Sequence, residues 1–508
     1  MRLASEDFGG KGHRDKKDTS GPFWEINMTM LSSRKLGYFE AYAASVPSCV
    51  VSMVAVLSSS TRDQGNRLKD AAICRGVTHI ANRHPHLRST LAHDADGDLC
   101  LHLQQKASSS EDSISSHLEI VTVSSADGWQ DIVHTESNTG FDLEGSAPLW
   151  KVVFIRGPSS SGCGDVLLIK YHHAIGDGTS GYILINDFLA SATAPNSATV
   201  EKEEVLQMLP SVDDMCFPNG RTAEDEKYVQ ESLLTLRKKR NDWYPRLKYS
   251  PEPPGGNAHS ILYRDGTEDG LKKLLETCRS KGVTIGAVLA AATYFVVAKL
   301  NNCKDPDGSR ESTGEDDNSF HFDFDMDVNL RKRLPKSLGN DHVGAFIGMM
   351  SFNLSLESST KFWDFVQSMY HSIGDALDEK QHFHYLEVNK RLDKMIEEKP
   401  LGNRAWKSND GHAQDMNFSN VGRYPFSPDY GAVSVEKIYC VGGGWCPTFG
   451  AYVFLIPSVR CLNFSLVYES DAKLNDTIAN EFFDSVCDLV ESTPSVDESF
   501  TLGDYLKG

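Results

Sequence analysis

Two adjacent histidines stand at the end of a short apolar run, and no other residues in this chain are better placed to do chemistry. The run Val166-Leu167-Leu168-Ile169 reads as a buried strand bounded by turn signals, and it leads through Lys170 and Tyr171 to His172 and His173. Side chains alternate across a strand, so the two imidazoles face opposite ways. One can enter a cavity while the other packs or hydrogen-bonds. A neutral imidazole, with an ordinary pKa of about 6.5, can take a proton near pH 7. Gly176-Asp177-Gly178 then breaks the strand, and Thr179 or Ser180 can cap a following helix that carries Tyr182, Ile183, Leu184, Ile185, Phe188 and Leu189. Such a corner holds an imidazole rigidly beside outward-pointing backbone N–H groups. An isolated His-His is more often a satisfied pair beside an ordinary Asp-Gly turn. The full pattern His-His-x-x-x-Asp-Gly is rarer, arising by chance in roughly one chain in a thousand of this length. The spacing leaves the direction of Asp177 open.

The rest of the chain must supply the elements that hold this corner. Its 508 residues are 40% hydrophobic and 24% charged, a globular composition long enough for two domains with cores of their own. A net charge of −19 argues against a general nucleic-acid binder but leaves room for a local basic pocket. The eleven cysteines are scattered with no Cys-x-x-Cys, which indicates neither a zinc ribbon nor a disulfide framework, so a cytoplasmic location is expected. Arg14, Asp15, Lys16, Lys17 and Asp18 carry charge with no apolar core, so no secretory signal is read. The longest apolar stretch, residues 283–298, contains Thr284, Gly286 and Thr293 and falls short of the ~20 residues of a membrane span. It reads as a buried helix.

In chain order, residues 1–20 are polar and Gly-rich and are expected to be disordered. A short amphipathic helix opens at residues 34–42, a strand follows at 49–57, and a helix runs over 64–82 until Pro85 forbids it. His79, His84, His86 and His93 crowd this region, but no metal-ligand spacing recurs. Asp94 to Asp98 reads as a hairpin turn rather than a calcium loop, since Gln105 stands where a Glu ligand is needed. Residues 221–243 form a charged crossover helix between two halves, and 301–319 a charged insertion. Residues 320–330 alternate strictly. Phe320, Phe322, Phe324, Met326 and Val328 share one face, and His321, Asp323, Asp325, Asp327 and Asn329 share the other, which is expected to be solvated rather than to hold a cation. His382 and His384 sit two apart with no third ligand nearby, and Gly442-Gly443-Gly444-Trp445 reads as a turn.

His172-His173-Ala174-Ile175-Gly176-Asp177-Gly178 resembles the HHxxxDG signature of the CoA-dependent acyltransferase superfamily, which includes alcohol acetyltransferases and condensation domains. Further stretches resemble that family in order: Arg83 to Leu91, Phe141-Asp142-Leu143 with Pro148-Leu149-Trp150, Gly282-Val283-Thr284, Asp327-Val328-Asn329-Leu330-Arg331, and Gly339-Asn340. Asn417 to Gly422 occupies the place of a condensation-domain strand end, and it departs from the Asp-Phe-Gly-Trp-Gly motif of plant acyltransferases.

The resemblance implies an α/β (α+β) fold of two chloramphenicol acetyltransferase-like subdomains, residues 21–199 and 255–508, joined by a charged linker at 200–254, with an active-site tunnel between them. It implies that His173 is the general base and that Asp177 acts structurally, held by Arg331, with His172, Gly178 and Asn329 in support. Oxyanion stabilisation falls to Ser419 or the Gly178 N–H. The expected reaction is ester formation from acyl-CoA as co-substrate and a small alcohol or amine, by a monomer with no permanently bound cofactor, no metal and no nucleic-acid partner. Because CoA is polyanionic, a basic mouth is needed, and Arg331, Lys332, Arg333 and Lys336 lie near the right motif. One alternative is a condensation-type enzyme that takes its acyl group from a carrier protein. Another is a non-catalytic binding protein of the same fold.

Overall fold

The structure, a computed structural model, describes residues 33–59, 67–104, 116–144, 147–158, 164–195, 205–239, 259–302, 320–398, 416–443, 452–469 and 476–507. Seven strands come from the first half: β1 (Ser33–Lys35), β2 (Val50–Ser59), β3 (Ser89–His93), β4 (Leu99–Leu103), β5 (Leu118–Thr122), β6 (Trp150–Arg156) and β7 (Val166–His172). Seven come from the second: β8 (His259–Asp265), β9 (Phe320–Asn329), β10 (Ile347–Leu356), β11 (Met416–Arg423), β12 (Val433–Gly443), β13 (Tyr452–Ser458) and β14 (Asn463–Glu469).

They form a small sheet β1-β4-β3, a five-stranded sheet β12-β2-β7-β6-β5 and a six-stranded sheet β10-β9-β11-β13-β14-β8. Each larger sheet is backed by helices, so the architecture is the mixed α/β of two lobes expected from the sequence. The lobes are not independent in sequence. Strand β12, from the second half, pairs antiparallel with β2 from Val433↔Ser59 to Gly443↔Val50 and completes the five-stranded sheet. It also meets the other sheet: Ser465 Oγ donates to the Cys440 carbonyl, and the Ile438 N–H donates to Asn463 Oδ1 at 3.3 Å.

Strand β7 is buried along its whole length, as its unbroken apolar start demands of a strand flanked on both sides and covered on both faces. In the second lobe the helix Ile285–Asn302 carries apolar residues all round and buries nearly all of Ala287 to Ala298 in the core. Thr284 Oγ1 accepts from the Ala287 N–H to start it, and Gly282, at φ 67°, ends the helix before it.

Several expectations change. Residues 33–35 are a strand paired with β4, and the first helix begins only at Tyr38, where Glu40 reaches back to accept from the Gly37 N–H at 2.8 Å. The second helix spans Asp70–Arg83, later than expected. Asp94 to Asp98 is the β3–β4 turn, closed by Gly97 at φ 87°. The charged crossover helix, Ala223–Lys239, is shorter than expected and packs on the helix Gln381–Glu398, with Val229 buried and an Arg391–Glu226 ion pair. Gly442 and Gly443 are strand residues of β12, not a turn. A Cβ at Gly443 would overlap the Ser137 carbonyl, which explains why a glycine stands there. Residues 1–20 and 303–319 lie outside the described residues. No single helix among the described residues is long and apolar enough to cross a membrane.

Candidate active site

The corner after β7 is built as a chain of hydrogen bonds. The His173 N–H donates to the Cys49 carbonyl at 2.8 Å, which fixes the backbone where the strand ends. Asp177, rather than Thr179 or Ser180, is the N-cap of the helix Gly178–Thr193: its Oδ1 accepts from the Ser180 N–H at 2.8 Å, while Ser180 Oγ accepts from the Asp177 N–H at 3.2 Å. The other carboxylate oxygen, Oδ2, accepts from Arg331 Nη1 at 2.7 Å and from the Phe346 N–H at 3.0 Å. Arg331 is fully buried, and Nη2 also donates to Ser180 Oγ and to the His342 carbonyl. This guanidinium and the helix-capping bonds hold the Asp177 carboxyl below the usual carboxylate range despite burial. The pair joins the lobes, since Arg331 follows β9 and Asp177 follows β7. Asn329 Nδ2 reaches across as well, to Thr179 Oγ1 at 2.8 Å.

The two histidines have different surroundings. His172 is buried: Nε2 donates to the Val46 carbonyl at 3.1 Å and Nδ1 accepts from the Ala174 N–H at 3.2 Å. Both ring nitrogens are therefore used, and burial lowers the ring to about 4. His173 faces the other way, against the edge of Phe39 at 4.9 Å between ring centroids, and lines a pocket. Burial lowers its pKa, while its own carbonyl, the Asp177 charge and the Gly176 carbonyl favour the protonated ring. Nδ1 nevertheless has no partner of hydrogen-bond geometry.

The pocket encloses about 650 Å³, its open mouth included, within the range of small-molecule sites. Both lobes line it. The first contributes Cys49, Val50, Val51, His173 and Gly178, and the second contributes His259, Asp327, Ile347, Asn417, Ser419 and residues 440–443 among others. Most of the wall is apolar, and its polar groups converge from β7, β8, β9 and β11.

His173, Gly178 and Ser419 are thus brought to one cavity, whereas Asp177, Arg331 and His172 are buried supports and Asn329, exposed, is outside the lining. Burial of Arg331 removes it from the expected basic mouth, because its donors are spent on Asp177, Ser180 and backbone carbonyls. The acidic face of β9 is not solvated as expected. Asp325 is buried and accepts from Ser351 Oγ and Tyr385 OH, and Asp327 faces the pocket. His384 stacks on Phe217 and Tyr228, and no group of metal-ligating side chains forms among the described residues. Asp327, Asn417 and His259 were not singled out from the sequence as pocket residues.

The family profile of condensation domains matches residues 52–207, and that of alcohol acetyltransferases matches residues 230–449. The earlier part of the chain is thus similar to condensation domains and the later part to alcohol acetyltransferases. Among solved structures, the chain is similar to trichothecene 15-O-acetyltransferase from Fusarium sporotrichioides with a TM-score of 0.68, at 11% identity, over 91% of this chain and 95% of that one. The first condensation domain of the calcium-dependent antibiotic synthetase gives a TM-score of 0.65 at 12% identity, over 94% and 99%. Polyketide synthase associated protein 5 from Mycobacterium tuberculosis gives 0.61 at 14%, over 91% and 98%. These likenesses establish the fold of an acyltransferase or condensation-type protein. No curated protein sequence matches the chain.

Proposed function

We propose that this protein is an O-acyltransferase that moves an acyl group from an acyl-CoA thioester to a hydroxyl acceptor, with His173 as general base. One observation carries the reading: His173 is the imidazole that the Asp177–Arg331 corner turns into a pocket walled by both lobes. The acceptor oxygen attacks the thioester carbonyl carbon while its proton passes to His173. Charge collects on the carbonyl oxygen. Collapse then breaks the C–S bond, and the sulfur takes the proton back from His173, leaving an ester and a free thiol.

An acyl-enzyme is unnecessary. Burial pushes the Cys440 thiol up, so it stays protonated. For the oxyanion, Gly178 lies in the first turn of the helix Gly178–Thr193, where the macrodipole favours negative charge. Ser419, the other candidate, gives its hydroxyl to the Asp327 carboxyl, so the Gly178 N–H is the donor, and one such donor contributes about 3–4 kcal/mol.

A carrier-protein thioester in place of acyl-CoA is the second reading. It is favoured by the condensation-domain match over the half that contains His173. The test offers acetyl-CoA and longer acyl-CoA with a panel of alcohols and amines, in parallel with an acylated phosphopantetheine carrier, and follows free thiol. Acceptor-dependent thiol from CoA is expected. Release from the carrier alone would favour the second reading, and release from neither would leave a binding protein.

A further inference from the structure

Asp327 is the one acidic residue among the described residues that line the pocket, and none of those residues is Lys or Arg. Its carboxyl is partly buried. Oδ1 accepts from Asn417 Nδ2 at 3.2 Å, and the Ser419 hydroxyl supports it as well. The charged group nearest in effect is Asp177, which repels it. No cation among the described residues pairs with it. Carboxylates withdrawn from water are normally paired, because an amide and a hydroxyl offset only part of the lost hydration. Burial and the like charge accordingly push this carboxyl up to about 6. By contrast, Asp177 has Arg331 and two backbone N–H groups, and Asp187 has Arg83 and His84.

The direction of the opening matters too. A free carboxylate where the thioester oxygen becomes negative would oppose the reaction, so Asp327 belongs with the nucleophile rather than with the oxyanion. Its strand brings it to the same cavity as His173, the group that would take the nucleophile's proton.

We propose that Asp327 recognises the acceptor, pairing with an ammonium group carried close to the nucleophilic hydroxyl, so that the substrate class is amino alcohols. The inference rests on the acyl-transfer reading of the site. An amine held as ammonium by Asp327 has no free lone pair, so the hydroxyl is the atom acylated: the O–C bond forms, the C–S bond breaks, and the hydroxyl proton leaves by way of His173 to the thiol. The apolar remainder of the wall, Val50, Val51, Ile347 and Leu455 among it, suits the hydrocarbon part of such a molecule.

The test uses the full chain at pH 7 with acetyl-CoA and three matched acceptors: 1-hexanol, 1,2-hexanediol and 2-amino-1-hexanol. Thiol release gives kcat/KM for each. The wild type is expected to favour the amino alcohol over 1-hexanol by tenfold or more, and Asp327→Asn is expected to bring that ratio to within twofold of one. A wild-type ratio near one overturns the proposal, as does a ratio that Asp327→Asn leaves unchanged. Equal preference for the diol and the amino alcohol overturns the ion pair. Isothermal titration with 2-amino-1-hexanol, without thioester, supplies a readout independent of turnover. Wild-type binding that weakens at least tenfold in Asp327→Asn supports the assignment, and binding that is absent or unchanged overturns it. Should no acceptor release thiol, the acyl-transfer reading fails while the titration still decides the role of Asp327. If Asp327→Asn does not fold, the wild-type ratio and titration decide alone, with 1-hexanol as the reference ligand.

Discussion

His172 and His173 are neighbours in sequence with opposite assignments. His172 spends both ring nitrogens on backbone and sits near pKa 4, so it is a fixed neutral spacer beneath the strand end. His173 keeps a face toward the cavity. Because its pKa lies below 6.5, the ring is neutral, and able to accept a proton, at lower pH than a free imidazole. The acid limb of kcat/KM for an uncharged acceptor such as 1-hexanol is therefore expected below pH 6.5, and a limb above 7 in a pH–rate profile would contradict it. The sequence carried the alternation that separates these two rings but not their identities as support and base. Which face of β7 meets the cavity is decided by later parts of the chain, from His259 to Val467, that wall it.

At the scale of elements, the corner depends on a buried charge pair between loops that follow β7 and β9. Removing one partner strands the other, so Asp177→Ala and Arg331→Met are each expected to cost about 3–5 kcal/mol in urea unfolding. An unchanged midpoint in either variant would show that the pair is not structural. The ordered short motifs made this pairing legible, because they quoted both ends of it. The role of β12 was not legible. Its apolar stretch and glycines carry no signal for pairing with β2, nearly 400 residues earlier, and the glycines were read as a turn. Gly443→Val is expected to lose about 1–3 kcal/mol by forcing a side chain into the Ser137 carbonyl. Thermal melting checks this.

For the whole molecule, two consequences follow from how the lobes are joined and what they bury. A fragment ending at residue 258 leaves β2 without the ten-residue pairing that β12 supplies and exposes a long apolar edge. It is expected to aggregate on expression, and a soluble, cooperatively melting fragment would contradict this. His84, His86, His172, His382 and His384 all have folded pKa values below 6.5. The unfolded chain then binds more protons, so stability is full above 6.5 and falls as pH drops from there toward 4. Asp177 adds a further loss only below pH 3.8, while Asp327 and Asp213, raised by burial, act in the opposite sense. Urea midpoints measured from pH 7.5 to 4.5 check the net direction. The two-lobed α/β class was legible through the order of the short motifs and the family they resemble. The cavity was not, since its wall is assembled from nine separate stretches of chain. The most direct test of the central claim compares His173→Ala with the wild type for thiol release from acetyl-CoA and a saturating acceptor, with thermal melts run alongside. We expect a rate at least 10³-fold lower with an unchanged melting temperature; a folded His173→Ala protein turning over at the wild-type rate would contradict the account.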